Sequence, residues 1–254
     1  MIRSLGCWAM IALVCLTIHT DFATAQSVAI LGSPAEPPWN NDVQAKLVGT
    51  GFFSQVDIYD ISAVTPTLSQ LQQYCGVLVY SDSPGFQDPV TLGNNLADYV
   101  DLGGGVVVAT FANASIPFMG RFSTDNYWCL LPGDQAQNFP LTLGTVNQPG
   151  SPLMQGVVSF HGGDSSYHGT GPVHPAAKVV AEWSNGRPLV LQRDIGPARR
   201  VDLNFYPVSN AMRSDFWRQD TDGDLLMGNA LIYVCPVATA VEATTWGNLK
   251  ALYR

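Results

Sequence analysis

The twenty residues Leu92–Phe111, LGNNLADYVDLGGGVVVATF, restrict the fold more than any other stretch of this chain. Leu92, Leu96, Tyr99 and Val100 recur at helical spacing, so they form one apolar stripe facing a partner layer. Asp88-Pro89 supplies an N-cap followed by a first-turn proline. Gly103-Gly104-Gly105 ends the helix, because glycine tolerates the left-handed backbone of a helix C-terminus. Val106-Val107-Val108-Ala109 is apolar on both faces, as expected of a central parallel strand. A helix that feeds such a strand through a short glycine turn predicts an α/β sheet.

The flanking sequence extends the pattern. Strands are expected at Ser27–Leu31, Gln55–Tyr59 and Gly76–Tyr80. Between them, Asn41 or Asp42 is expected to cap a helix running to about Thr50, and Thr65-Pro66 to open another running to Tyr74. The β-α-β-α-β-α-β order with short links predicts a doubly wound, mostly parallel, flavodoxin-like three-layer sheet. From about 112 to 156 the periodicity fails, which predicts an irregular insertion with Trp128 and Phe139 as anchors. A strand is expected within Gly156–Phe160. Three short strands follow at Ala177–Trp183, Pro188–Gln192 and Arg200–Phe205. Ser184-Asn185-Gly186 is a hairpin signal between the first two, so a short β-hairpin region precedes the last helix. That helix is expected from about Asp222 to Val234, with aspartates capping its start.

Residues 1–25 read as a signal peptide. Arg3 is a short basic region, Cys7–Ile18 an apolar core and Ala23-Thr24-Ala25 a cleavage site. The expected organisation is a leader at 1–25, one α/β domain at 26–236 and a C-terminal tail at 237–254, with a secreted location. No other long apolar run suggests a membrane span. A net charge of −8 without clustered Lys or Arg argues against nucleic acid as a partner. Charged residues at 13% and hydrophobic ones at 46% argue against disorder. Cys75, Cys129 and Cys235 remain after the leader. At most one internal bridge can form among them, and buried thiols are the alternative.

The run LADYVDLGGGVVVATF, the preceding VLVYSDSP and the late VDLNFYP together resemble the class I glutamine amidotransferase-like superfamily. Within it, the likeness is to the secreted, trehalose-utilisation-like branch, and it spans roughly Ser27–Tyr233. The resemblance implies a doubly wound sheet with sites beyond the strand C-termini. Active members use Cys, His and Glu. At the corresponding positions this chain has Thr110 in Ala109-Thr110-Phe111-Ala112, then Tyr206 and Val208 in Asn204-Phe205-Tyr206-Pro207-Val208. Acyl transfer through a thiolate needs the thiol and its base, so the resemblance implies a scaffold without that activity.

Other chemistry is sparse. His161, Asp164 and His168 are the candidate metal ligands, in a loop that also carries His174, but their spacing matches no zinc motif. Exposed loop histidines are the simpler reading. Asp220–Asp224 resembles the start of a calcium loop, yet it lacks the glycine and glutamate that such a loop needs. Ser33, Asp82, Thr110, His161 and Tyr206 are the candidate catalytic residues of a non-standard hydrolase at the strand ends, although no G-x-S-x-G is present. No nucleotide motif occurs, so no cofactor is expected. Asn113-Ala114-Ser115 is a glycosylation triplet. The leading expectation is an exported, non-catalytic binding or interaction module for a carbohydrate or an envelope component. A hydrolase, or a structural surface protein retained by its tail, are the alternatives.

Overall fold

The computed structural model describes residues 26–235. The expected leader and the tail from 237 onward lie outside the described residues. Strand β1 (Gln26–Ser33) leads to α1 (Trp39–Gly49), then to β2 (Phe53–Asp60) and the short α2 (Leu68–Leu71). β3 (Gly76–Ser81), α3 (Pro89–Asp101) and β4 (Gly105–Ala109) complete the repeating part. The insertion then contributes α4 (Gly120–Thr124), β5 (Gln135–Ala136), β6 (Leu143–Val146) and a 3-10 turn at Pro152–Met154. β7 (His168–Gly169), β8 (Lys178–Trp183), β9 (Pro188–Ile195), β10 (Ala198–Leu203) and α5 (Gly223–Val234) follow.

Eight strands form one sheet in the order β2-β1-β3-β4-β10-β9-β8-β6. β2, β1, β3, β4 and β10 are parallel, whereas β9, β8 and β6 each run against their neighbour. The expected three-layer, mostly parallel architecture is therefore present, with antiparallel hairpins at one side. Alternate strand residues divide into two cores. Val28, Ile30, Leu78, Val107, Val201 and Leu203 meet α1 and α5. Ala29, Leu31, Val77, Val79, Val106 and Val108 meet α2, α3 and α4. Because side chains alternate with period two, a strand covered by helices on both sides must be apolar throughout.

Helix α3 matches its sequence signals. The Asp88 carboxylate accepts the backbone N–H groups of Val90 and Thr91, and Leu92, Leu96, Tyr99 and Val100 are buried. Gly103 adopts φ +91°, the left-handed conformation that stops the helix. Elsewhere the ends differ from expectation. α1 starts at Trp39 without a side-chain cap, because Asp42 turns inward to accept the backbone N–H and hydroxyl of Ser209. α2 is capped by Thr67, not Thr65, through a reciprocal capping box with Gln70. Asp222 does not cap α5; its carboxylate takes the N–H groups of Val158 and Ser159 instead. That contact holds 156–160 as an extended loop rather than the expected strand. Within the insertion Trp128 is buried, whereas Phe139 is exposed and meets the buried His168 ring edge-on.

Glycine turns close the antiparallel hairpins, the first of them at the expected Asn185-Gly186. Gly186 has φ +79° between β8 and β9, and Gly196 has φ +54° between β9 and β10. β10 also carries a charged pair that the sequence reading did not single out. Arg200 and Asp202 are fully buried and meet at 2.9 Å. They occupy alternate positions of the strand, opposite Val106 and Val108, and so share one face. The second Asp202 oxygen accepts the N–H groups of Cys129 and Leu130 at 3.0 and 2.7 Å. Arg200 donates to the carbonyls of Tyr127 and Val106 and lies over the Phe122 ring. The pair thus fastens residues 127–130 of the insertion to the sheet. Burial pushes the Asp202 carboxyl up, and Arg200 opposes that shift.

Cys75 and Cys235 form a disulfide with 160 residues of separation, and Cys129 is free and buried. The bridge joins the start of β3 to the end of α5, which favours an oxidising compartment. None of the helices among the described residues is long and apolar enough to cross a membrane.

Two consequences for stability follow. Asp202→Ala leaves a buried guanidinium without its carboxylate, so urea unfolding should show a loss of about 3–5 kcal/mol; a loss below about 1 kcal/mol would mean that the pair does not anchor the insertion. Reducing the Cys75–Cys235 bridge should cost about 2–5 kcal/mol, since it frees a long loop in the unfolded chain. An unchanged melting temperature under reductant would contradict this.

Candidate functional site

The strand ends that the resemblance singles out do meet. The Thr110 N–H donates to the Phe205 carbonyl at 3.2 Å, so the segment 205–207 lies against the end of β4. Thr110 itself is fully buried. Its hydroxyl lies 3.2 Å from Asn113 Oδ1 and 3.5 Å from Asn204 Oδ1. Asn113 donates to the Leu203 carbonyl, and Asn204 exchanges hydrogen bonds with Gly169 and donates to Pro188. The position of the expected nucleophile is therefore a knot of side-chain amides that ties β10, β7 and the chain after β4 together. Among the described residues, the hydroxyl's hydrogen-bond partners are these amide oxygens, neither of them a base. Val208, at the position that corresponds to the glutamate, is fully buried in the apolar core.

Tyr206, at the position that corresponds to the histidine, lies in an aromatic cluster. Its ring is 4.9 Å from Phe216, 5.4 Å from Phe111 and 5.7 Å from Tyr80. Its hydroxyl is buried, with the Asp82 carboxylate beside it. Burial pushes this phenol well up, and Tyr80 and Asp82 push it further, so it stays protonated at physiological pH. It cannot serve as a base.

A cavity of about 270 Å³ opens over this cluster. Asp82 and Ser83 border it from the end of β3, and Phe111 and Ile116 from the end of β4. Gln135 and Gln137 come from the insertion, while Tyr167, Arg213 and Phe216 come from late loops. This is the location that a doubly wound sheet offers a ligand. Arg213 is held on several sides. It donates to Asp215 at 2.6 and 2.9 Å and to the Tyr167 hydroxyl at 2.6 Å, and its guanidinium lies 4.2 Å from the Phe216 centroid. The Arg213 hydrogen bonds, followed by those from Ser165 and Tyr167, hold the Asp215 carboxyl down at about 2.

The five candidate catalytic residues divide. Asp82, Thr110 and Tyr206 gather around this end of the sheet. Ser33 is buried and donates to the Gly85 carbonyl, so it braces the loop that carries Asp82 and has no free hydroxyl. His161 does not border the cavity; its Nδ1 accepts the Gly163 N–H, and its backbone joins Thr221 and Arg218. The candidate metal ligands do not assemble either. Asp164 is exposed, whereas His168 is buried with its ring near Trp183 and Nδ1 2.7 Å from the Ser166 carbonyl. Burial lowers the His168 pKa. His168 pairs with Ala136 in the small β5–β7 sheet, which is a structural role. Among the described residues, no group of three His, Cys, Asp or Glu side chains is placed to hold a metal.

Sequence reasoning missed Tyr167, Arg213 and Phe216, which form much of the cavity wall. They lie in loops without periodicity. The only local signal was the spacing Arg213-x-Asp215 followed by Phe216-Trp217.

No protein-family model matches the sequence, and no curated protein matches it. Solved structures do share the fold. A protein from Parabacteroides merdae described as ThuA-like superposes with a TM-score of 0.60 at 17% identity, over 85% of this chain and 93% of that one. A cytoplasmic protein from Salmonella typhimurium gives 0.55 at 14% identity, over 82% and 98% of the two chains. Another, from Salmonella typhimurium LT2, gives 0.55 at 12% identity, over 83% and 100%. At such identities the likeness shows a shared three-layer α/β fold and not an activity.

The Arg213–Asp215 pair makes a pH prediction. A carboxyl depressed in the folded state adds stability that is complete above its unfolded value of about 3.9 and is lost as pH falls toward about 2. Asp215→Asn should therefore melt below the wild type at pH 6, and the two melting temperatures should converge toward pH 2. A constant gap across that range would show that the carboxylate charge is not what Arg213 holds.

Proposed function

We propose that this protein is an exported, non-catalytic module that binds a small carbohydrate-class ligand in the cavity at the strand C-termini. The observation that carries this reading is the replacement of reactive groups by packing ones. Thr110 is fixed between amide oxygens and Val208 is buried in the core. Beside them, a cavity is lined by the rings of Phe111, Tyr167 and Phe216 together with the amides of Gln135 and Gln137. Aromatic faces stack on the apolar faces of sugar rings, and side-chain amides supply both donors and acceptors for hydroxyls. The disulfide and the signal-like leader support export.

A hydrolase is the second reading, favoured by one observation. Asp82 adjoins the Tyr206 phenol closely enough to raise its pKa, which brings a carboxylate and a proton donor together near the cavity.

Calorimetric titration of the purified protein against a glycan panel and envelope fractions decides between these readings. Saturable binding without product formation is expected, and Gln135→Ala/Gln137→Ala should weaken it about tenfold, equivalent to about 1.4 kcal/mol. Absence of saturable binding to every member would sink the binding reading. Turnover of an ester, amide or glycoside substrate that Asp82→Asn abolishes would replace it with the hydrolase.

A further inference from the structure

The hydrogen-bond capacity around the cavity can be counted group by group. A guanidinium has five N–H donors. The Nε of Arg213 donates to one Asp215 oxygen, and its Nη2 donates to the other and to the Tyr167 hydroxyl. The two N–H groups of Nη1 remain. Among the described residues nothing accepts from them, although the side chain borders the cavity. On the other side stands the Asp82 carboxylate. One of its oxygens accepts the Ser83 N–H at 2.7 Å, and the Tyr206 hydroxyl lies beside the group. A carboxylate has about four lone-pair sites, so about two of them stay open. The glutamines are more fully used. Gln135 Oε1 accepts the Ser115 hydroxyl, and its Nε2 donates to Gln137 Oε1 at 3.2 Å.

The open capacity is therefore of both kinds, acceptors on Asp82 and donors on Arg213. A hydroxyl answers both, because it gives one proton and accepts through its oxygen. An ammonium only donates and a carboxylate only accepts, so either one leaves half of this capacity bare. The cavity volume of about 270 Å³ lies just below the ~300–1,000 Å³ of sites for drug-sized ligands, which suits a single sugar ring. Arg213 is already fixed by Asp215, Tyr167 and the Phe216 ring. A ligand that meets Nη1 need not supply the energy to order it.

We propose that the cavity takes one neutral sugar residue by two adjacent hydroxyls, with Asp82 accepting their protons and Arg213 Nη1 donating to their oxygens. This rests on the carbohydrate reading of the same cavity and names the handle that the cavity grips. Asp82 and Arg213 set the specificity, while Gln137 and the aromatic rings border the rest of the sugar.

The test uses the methyl α-glycosides of glucose, galactose and mannose, titrated by ligand-observed NMR. Each is compared with analogues in which one hydroxyl at a time is replaced by fluorine, which keeps the size but has no proton to give. At least one parent glycoside should bind saturably. Fluorination at either of two neighbouring carbons should weaken it at least about tenfold, whereas the remaining positions should tolerate the change. In Asp82→Asn that tenfold penalty should shrink to about threefold or less, and Arg213→Lys should weaken the parent about tenfold. Circular dichroism should show both variants folded. A penalty below about threefold at every position, or one that Asp82→Asn leaves intact, would overturn the hydroxyl-pair handle and leave the carbohydrate reading in place. The same holds if none of the three glycosides binds while a member of the glycan panel does. Saturable binding of no carbohydrate at all would remove both.

Discussion

The placement of the insertion depends on one buried ion pair. Arg200 and Asp202 stand on alternate positions of β10 with no exposure to solvent. Two charges are expensive to take out of water unless further hydrogen bonds satisfy them. Here Asp202 also takes two backbone N–H groups from the insertion, and Arg200 gives to two carbonyls, one of them in β4. An apolar pair of similar volume would fill the space, but it would leave the backbone at Tyr127, Cys129 and Leu130 without these partners. The pair therefore supplies direction rather than bulk stability. It tells an irregular stretch where to sit on an otherwise featureless apolar sheet.

The same logic explains the end of β4. A glutamine amidotransferase-like scaffold places its reactive residue on the turn after this strand, as the resemblance implies. In this chain the turn is held by Thr110, Asn113 and Asn204, whose amides also grip β7 and β9. Polar residues remain at the position, but they face one another instead of a substrate. The cavity lies to one side of this knot and takes its walls from Asp82, Arg213 and the aromatic rings.

Much of the fold was legible because its signals are local. Asp88-Pro89, the stripe from Leu92 to Val100, the glycine stop and the valine run each act within a few residues, and each is realised. Asn185-Gly186 gave its hairpin for the same reason. The failures involve residues whose partners are distant in sequence. Asp42 resembled a cap until Ser209 claimed it, 167 residues away. Asp222 resembled a cap until the loop at Val158 claimed it. Of the candidate site, Asp82, Thr110 and Tyr206 could be read because the strand pattern puts them at strand ends. Tyr167, Arg213 and Phe216 could not, since nothing periodic leads to them.

Gln135 and Gln137 connect these two halves of the structure. They reach the cavity from the insertion, which leaves the sheet after β4 and is fixed first at residues 127–130 by Asp202. A few residues later, β5 pairs with β7, whose Gly169 is in turn clamped by Asn204. Both fixing points belong to β10 or the residue directly after it. The amide wall of the cavity is thus positioned by a strand that contributes no side chain to its lining. Arg213 on the facing wall is held separately, by Asp215 and Tyr167. Two walls fixed by independent hydrogen-bond sets define a rigid opening, and a ligand that fills it need not supply the energy to order them.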